Sequence, residues 1–323
     1  MKTFKKVLIY LVIGVVIVVC GGLGYVRFGL PAVNDAPDLK VDITPARVER
    51  GKYLANHVAV CMDCHSKRDW SQFSGPLAAD GLGAGGEKFD AKMGFPGEVY
   101  VPNITPHNLS SWTDGEIFRA ITVGVKKDGS AIFPIMPYKA YGKMDKEDVY
   151  SIIAYLRTLP AKASRTPERK LDFPLNFIVN TIPSEAEHGT RPSRDDILEQ
   201  GKYLVNVAAC AECHTKSDEG GPVPGFDFAG GNTYQMANGT VTSSNITPDP
   251  ETGIGGWSKE VFLAKFRAHA EQAGPMAPGD YQTVMPWTMY GTMETKDLEA
   301  IYAYLRTLKP VKNKIVRFQP TKG

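Results

Sequence analysis

Two short cysteine motifs are the part of this sequence with the clearest chemical potential. Four of the five cysteines form two C-x-x-C pairs, and a histidine directly follows each pair. The motifs consist of Cys61, Cys64 and His65, and of Cys210, Cys213 and His214. Cysteines at this spacing lie on neighbouring turns of a short helix, so both thiols can reach the vinyl groups of one haem while the histidine ligates the iron. The sequence therefore predicts two covalently bound haem c groups.

A C-x-x-C pair has two other common uses besides haem attachment. Such a pair can form half of a zinc site or a redox-active dithiol. Neither use requires a histidine directly after the second cysteine, and two such motifs among only five cysteines argue against coincidence. The fifth cysteine, Cys20, lies in an apolar N-terminal run, so no cysteines remain for a disulfide framework.

The second axial ligand decides whether a haem transfers electrons or binds a substrate. Histidine is disfavoured, because no histidine outside the motifs recurs at a matching position, whereas two methionine pairs recur 149 residues apart. Met136 and Met285 each precede a proline, which biases them towards extended loops. Met144 and Met293 precede predicted helix starts, where an apolar residue packs on the first turn. We therefore predict Met136 and Met285 as the axial partners of the two motif histidines.

An internal repeat surrounds the motifs and predicts the domain organisation. The repeated segments are Gly-Lys-Tyr-Leu at 51–54 and 201–204, Asn-Ile-Thr-Pro at 103–106 and 245–248, and a gap-free match of 136–159 with 285–308. One plan used twice predicts a mostly α fold with tandem domains over residues 44–160 and 194–312. The proline-rich residues 161–193 are predicted to be the linker, and its apolar part, Leu171–Ile182, is expected to pack across both domains.

The repeat also pairs polar side chains near the ends of the two halves. Tyr141 matches Tyr290, and Arg157 matches Arg306. Two roles remain open for these pairs, hydrogen bonding to haem propionates and packing on helix faces.

Residues 1–30 are predicted to be a membrane anchor. Three lysines precede an uncharged run, Val7–Val26, whose twenty residues would span about 30 Å as a helix. The lysines place the N-terminus in the cytoplasm and the main body in the bacterial periplasm. A cleaved signal peptide and a lipoprotein signal at Cys20 are the alternatives, and both also export the main body.

Composition and charge narrow the class of partner. The 323 residues carry 37 Lys+Arg against 35 Asp+Glu, for a net charge of +2, without a long basic run. A nucleic-acid-binding role is therefore not expected. With 43% hydrophobic residues, two domains can each build a core.

Each half resembles a class I cytochrome c domain, with a C-x-x-C-H motif after a first helix, a Met-Pro loop and a final helix ending in Tyr-Leu-Arg. Residues 47–310 as a whole resemble the cytochrome c subunits of membrane-bound alcohol, gluconate and related dehydrogenases. The most specific part of this match is Asn245–Trp257, supported by Met285–Trp287. Those subunits usually carry three haem domains, whereas this sequence has two motifs.

This resemblance implies a non-enzymatic electron carrier. A dehydrogenase or quinol oxidiser would be the donor, and a terminal oxidase or soluble cytochrome the acceptor. The alternative is a dihaem cytochrome c peroxidase-type enzyme, which needs a displaceable ligand on one haem. Both predicted methionine ligands lie 75 residues after the first cysteine of their motif, and this symmetry argues against one specialised haem.

Overall fold

The chain is mostly helical in the computed structural model, which describes residues 2–218, 221–270 and 273–321. The α-helices in these residues are α1 (Lys2–Phe28), α2 (Pro45–Tyr53), α3 (Cys61–Cys64), α4 (Pro106–Leu109), α5 (Asp114–Thr122), α6 (Tyr138–Tyr141), α7 (Lys146–Thr158), α8 (Leu175–Ile178), α9 (Ile197–Val207), α10 (Cys210–His214), α11 (Lys259–Arg267), α12 (Trp287–Tyr290) and α13 (Thr295–Leu305). Six of these helices, α2 to α7, lie between α1 and α8, and five, α9 to α13, follow α8.

The N-terminal helix α1 differs from the other helices in composition and exposure. It is apolar, and its side chains are exposed along almost its whole length. Within the described ranges it is the one helix long and apolar enough to cross a membrane, a test that a signal sequence also passes. The predicted helix over Val7–Val26 is confirmed.

Each half is built around one close helix pair, α2 with α7 in the first half and α9 with α13 in the second. The glycine of each Gly-Lys-Tyr-Leu segment lies at the crossing. A Cβ atom at Gly51 would lie 1.8 Å from the carbonyl oxygen of Ser151, and one at Gly201 would lie 2.0 Å from that of Ala300. Only glycine permits this approach, which explains why the segment recurs.

Short antiparallel strands complete the two halves. They are β1 (Lys88–Phe89), β2 (Gly97–Tyr100) and β3 (Lys170–Leu171) in one sheet, β4 (Ser217–Asp218) and β5 (Gly221–Pro222) in another, and β6 (Thr233–Met236), β7 (Gly239–Thr242) and β8 (Phe318–Pro320) in a third. The sheets cover the helices rather than form the core, which is made mainly of helical side chains.

The apolar part of the linker is predicted to pack across both halves, but the contacts described below are with the first half and with α1. Its first residue, Leu171, pairs with Gly97 of strand β2 in the first half. Helix α8 then packs beside α1, and the Asn180 side-chain amide donates to the carbonyl of Val26 near the end of α1. An available strand edge and the unsatisfied carbonyls of a helix end provide these partners.

Hydrogen bonds between repeat-related positions join the two halves. The Asn206 amide donates to the carbonyl of Ala140 at 2.8 Å. His57 lies four residues before Cys61, as Asn206 lies four residues before Cys210, and Nδ1 of His57 lies 2.6 Å from the Thr292 hydroxyl. The duplicated sequence thus contacts itself through similar surfaces.

Two candidate haem-attachment sites

The two C-x-x-C-H motifs occupy the short helices α3 and α10, and each helix starts from an unusual backbone conformation. The preceding residue is left-handed in both cases, Val60 with φ 45° and Ala209 with φ 50°. Such a conformation costs a residue with a Cβ about 1–2 kcal/mol. Its recurrence at the same place in both halves shows that the surrounding structure holds the start of each motif.

Two buried tyrosines provide part of that support. The Tyr141 hydroxyl donates to the carbonyl of Ala59 at 2.9 Å, and the Tyr290 hydroxyl donates to that of Ala208 at 2.8 Å. These carbonyls lie two residues before the first cysteine of each motif. The hydroxyls are therefore committed to the protein backbone, which favours the structural role over propionate binding.

The repeated arginines also bond to the protein itself. The Arg157 guanidinium contacts the Asp114 carboxylate at 2.7 Å and donates to two carbonyls. The Arg306 guanidinium donates to the carbonyls of Ile254 and Gly255. Both arginines thus tie the last helix of a half to the segment that follows its Asn-Ile-Thr-Pro motif.

Each motif histidine is held by one backbone carbonyl. Nδ1 of His65 lies 2.8 Å from the oxygen of Pro102, and Nδ1 of His214 lies 2.7 Å from that of Ser244. A carbonyl only accepts, so Nδ1 carries the proton and Nε2 presents its lone pair, as a metal-ligating histidine requires. Burial lowers the pKa of both imidazoles, and this favours the neutral, ligating form.

The repeated Asn-Ile-Thr-Pro segments place those carbonyls. Each accepting residue directly precedes the asparagine of one segment. The Asn103 side-chain oxygen accepts from the backbone and hydroxyl of Thr105 at 2.8 and 2.7 Å, and Asn245 does the same with Thr247 at 2.9 and 2.7 Å. The sequence marks these segments by their recurrence, but it does not show that a neighbouring carbonyl orients the histidine.

A glycine in each half holds the histidine backbone. The amide of Gly85 donates to the carbonyl of His65 at 2.7 Å, and that of Gly230 donates to the carbonyl of His214 at 2.6 Å. Both glycines have left-handed φ values, of 71° and 70°. A Cβ at Gly85 would lie 2.6 Å from the Val101 carbonyl oxygen. A larger residue would therefore push the segment that carries the Pro102 carbonyl away from His65.

The motif thiols do not have the character of a redox dithiol. Burial raises the pKa of Cys61, Cys64 and Cys210 to about 12 and also raises that of Cys213. Reactive dithiols need a lowered thiol pKa. No cluster of three or more His, Cys, Asp or Glu side chains with metal-binding geometry occurs in the described parts of the chain. The raised thiol pKa values therefore argue against the dithiol alternative.

The two recurring methionine pairs differ in burial. Met144 and Met293 are fully enclosed in the core, which agrees with their predicted packing role. Met136 and Met285 are only partly buried and lie against the edge of the core. Each begins the same tight turn, in which its carbonyl accepts from the amide two residues later at 2.8 Å. The side chains of the two predicted axial methionines are therefore not enclosed by the core.

The donor set in each half fits a covalently bound haem. It comprises two thiols three positions apart on a short helix, an imidazole with a free Nε2 and a partly buried thioether on a separate loop. These donors would attach the group through sulfur and ligate its iron from two sides. The first set is Cys61, Cys64, His65 and Met136, and the second is Cys210, Cys213, His214 and Met285.

Several known cytochrome proteins are similar to this chain. The cytochrome c family model matches residues 198–309. The fructose dehydrogenase cytochrome subunit of Gluconobacter japonicus is 30% identical over 81% of this chain and 52% of that protein. The cytochrome c subunit of the quinone alcohol dehydrogenase of Gluconobacter oxydans is 27% identical, over 90% of this chain and 59% of its own length. The chain thus spans between half and three-fifths of these two dehydrogenase subunits.

A further relative matches along nearly its whole length. The diheme cytochrome c-type protein of Cereibacter sphaeroides is 26% identical over 92% of this chain and 97% of that protein. The alignment therefore includes both C-x-x-C-H motifs and the segments between them.

Proposed function

We propose that this chain is a c-type cytochrome, a dihaem electron carrier that works between redox proteins at the outer face of a bacterial membrane. Covalently bound haem c supplies reversible one-electron chemistry at its iron. The observation that carries the proposal is the same histidine arrangement in both halves, with Nδ1 of His65 and of His214 bound to a carbonyl. Equal arrangements favour two equivalent electron-transfer centres over one specialised catalytic centre.

The chain's own residues would keep the coordination unchanged during electron exchange. His65 and His214 are held at both ring and backbone, so they cannot turn away from their ligating position. Met136 and Met285 are the proposed opposite ligands, each at the start of a tight turn. Rigid ligands limit the rearrangement that accompanies each electron transfer.

We propose that the tandem domains comprise residues 44–160 and 194–312, joined by the linker at 161–193. The helix pairs α2 with α7 and α9 with α13 support these bounds. The two helices of each pair contact each other, and one motif and its predicted methionine ligand lie between them in the sequence. The pairing of strand β3 with β2 attaches the start of the linker to the first domain.

We propose that α1 is a retained anchor, with the N-terminus in the cytoplasm and the domains in the periplasm. Exposed apolar side chains lie where α1 ends beside α8. Phe28, Phe173 and Ile178 are 87%, 75% and 43% exposed. Such a patch next to a membrane helix is expected to meet lipid. If α1 is a retained anchor, replacing residues 1–30 with a cleavable export signal should release the protein from membranes. If α1 is cleaved from the natural protein, the same replacement should leave the distribution between membrane and soluble fractions unchanged.

We propose that the redox partners are a dehydrogenase or quinol oxidiser as donor and an oxidase or soluble cytochrome as acceptor. The names of the relatives, which are cytochrome subunits of fructose and alcohol dehydrogenases, support a dehydrogenase as donor. Pull-down from solubilised membranes, followed by reduction of the purified protein by the captured dehydrogenase, tests this step. Capture without electron transfer would argue against the proposed role.

Low-temperature electron paramagnetic resonance of the oxidised protein tests the carrier assignment. Two low-spin signals that peroxide does not change are expected if both haems have fixed axial ligands. A high-spin haem that turns over peroxide would instead establish the peroxidase-type alternative, for which the matched donor sets offer no support.

A further inference from the structure

A loop of the first half reaches the second half beside its predicted methionine ligand. Equivalent hydrogen bonds close this loop and its counterpart, from Ala78 to Lys67 at 2.9 Å and from Val223 to Lys216 at 2.8 Å. Eleven positions separate the first two residues and seven separate the second two, so the first loop is four residues longer. We call residues 68–77 the bridging loop.

The bridging loop pairs with a segment of the second half. The amide of Phe73 donates to the carbonyl of Gly274, and the amide of Met276 donates to that of Ser71, both at 2.9 Å. The Phe73 ring also lies 4.8 Å from the His269 ring, measured between centroids. Both backbone and side-chain contacts therefore hold the loop against the second half.

Ser74 is the residue of this loop that contacts the methionine turn. Its hydroxyl donates to the carbonyl of Met285 at 2.6 Å and accepts from the amide of Trp287 at 3.0 Å. One side chain therefore bonds both ends of the Met-Pro-Trp turn. Ser74 is fully buried and has a left-handed φ of 62°, a conformation unusual for a residue with a Cβ.

Gln282 fixes the loop from the other side. Its side-chain oxygen accepts from the amide of Ser74 at 2.8 Å. Its side-chain nitrogen donates to the carbonyls of Gln72 at 2.9 Å and Trp70 at 3.3 Å. Because Gln282 lies three residues before Met285, it secures the same turn to the same loop.

The bridging loop is also tied to the motif of the first half. The buried Arg68 guanidinium bonds the Asp63 carboxylate at 2.8 Å, and Asp63 lies between the two motif cysteines. The same guanidinium donates to the carbonyls of Ser74 at 2.7 Å and Gly75 at 2.8 Å. A continuous series of polar contacts therefore runs from the first motif to the Met285 turn.

The corresponding turn of the first half is held differently. The amide of Tyr138 donates to the carbonyl of Met136 at 2.8 Å, and that of Met136 donates to the carbonyl of Phe133 at 3.3 Å. Across the described ranges, no side chain of the second half bonds this turn as Ser74 bonds the Met285 turn. The two proposed centres thus differ in how their methionine is supported.

We infer that Ser74 is a positioning residue that holds the Met285 turn, and so keeps the Met285 thioether at the second haem site. This inference rests on the proposed function, in which Met285 is an axial ligand. It implies that the first half controls the ligation of the second haem, while the first haem lacks the reciprocal support.

A Ser74→Ala variant of the full-length holoprotein tests this inference. Alanine keeps the Cβ and hence the same backbone strain, but it lacks the hydroxyl that bonds Met285 and Trp287. Added imidazole competes with a methionine ligand, so its affinity for the ferric protein reports how firmly that ligand is held. Loss of the two hydrogen bonds of the hydroxyl should raise imidazole affinity at least about fivefold at one haem, with its reduction potential lowered. The other haem should be unchanged.

Ser71→Ala is the matched control. Ser71 belongs to the same loop and is exposed, and among the residues that the structure describes its hydroxyl bonds only Asp69, at 2.5 Å. This variant should retain wild-type imidazole affinity and both potentials. Equal affinities in wild type and Ser74→Ala, or equal shifts at both haems, would overturn the inference.

A Met285→Ala variant separates this inference from the proposed function. Loss of the low-spin signal of one haem identifies the second centre and supports Met285 as its ligand. If Met285→Ala leaves both signals unchanged, the axial assignment fails and the inference fails with it. If Met285→Ala opens one haem but Ser74→Ala does not loosen it, only the role of Ser74 is wrong. If Ser74→Ala does not accumulate, Gln282→Met provides a second test, because it removes the Gln282 hydrogen bonds to the bridging loop. It must then raise imidazole affinity at the same haem and leave the other unchanged.

Discussion

The Tyr53 hydroxyl of the first half donates a 2.7 Å hydrogen bond to the Asp297 carboxylate of the second half. The repeat-related Tyr203 donates a 2.7 Å bond to Asp148 in the opposite direction. Both carboxylates are almost wholly buried, with 0% of Asp148 and 1% of Asp297 exposed. The two halves therefore meet through the same surface used twice, with an approximate two-fold relationship like that of an isologous dimer.

Removing either tyrosine hydroxyl should weaken this interface. Each hydroxyl bonds a buried carboxylate, and a hydrogen bond to a charged group contributes about 1.5–3 kcal/mol. Tyr53→Phe and Tyr203→Phe should each lower the free energy of unfolding by about that amount. Urea denaturation measures the change. Tyr304→Phe, at a tyrosine for which the described structure records no hydroxyl hydrogen bond, should stay near the wild-type value.

The contribution of Asp148 to stability should depend on pH. Burial by itself would raise the pKa of Asp148, but hydrogen bonds and charge attraction from Arg50, Tyr203 and Arg191 outweigh it and leave the pKa lowered. A carboxyl with a lowered folded-state pKa stabilises the protein above its unfolded pKa of about 3.9 and loses that effect as pH falls through the folded value. The difference in unfolding free energy between wild type and Asp148→Asn should therefore be largest at neutral pH and shrink as the pH falls below about 4. A difference that stays constant would contradict this.

Replacing the asparagine that begins an Asn-Ile-Thr-Pro segment should affect only the haem in the same half of the chain. Asn103→Ala removes the acceptor for two buried donors of Thr105 and should destabilise the protein by about 1–3 kcal/mol. The Pro102 carbonyl would then hold His65 less firmly, so the paramagnetic signal of the first haem should broaden or shift. Asn245→Ala should act on the second haem alone. Changes at both haems in either variant would show that the segment acts through global stability instead.

Replacing the predicted axial methionines should separate ligation from packing. Met136→Leu removes a thioether from a partly buried loop side chain and should convert the first haem from low spin to a form that binds added imidazole. Met144→Leu makes the same substitution in the fully buried core and should cost less than about 1.5 kcal/mol, because the volume is conserved. Absorption and paramagnetic spectra distinguish the two. Low-spin signals that survive Met136→Leu but not Met144→Leu would reverse the assignment.

Features that depend on neighbouring residues could be predicted from the sequence. Each C-x-x-C-H motif is five consecutive residues on or next to a short helix, so residue type and spacing alone predict its chemistry. The long apolar run predicted helix α1, and the 149-residue repeat predicted which segments are equivalent. The sequence also separated the two methionine pairs, because proline excludes a helix at Met136 and Met285, while Met144 and Met293 precede helices and lie buried in the structure.

Only the tertiary structure decided which distant groups hold these elements in place. The carbonyl that orients His65 lies 37 residues away, and Ser74 bonds Met285 across 211 residues. Every residue has a backbone carbonyl, so residue type does not mark the ones that accept a functional hydrogen bond. The loop paths bring these groups together. The four extra residues of the bridging loop distinguish two otherwise similar halves, because they extend that loop far enough to reach the Met285 turn.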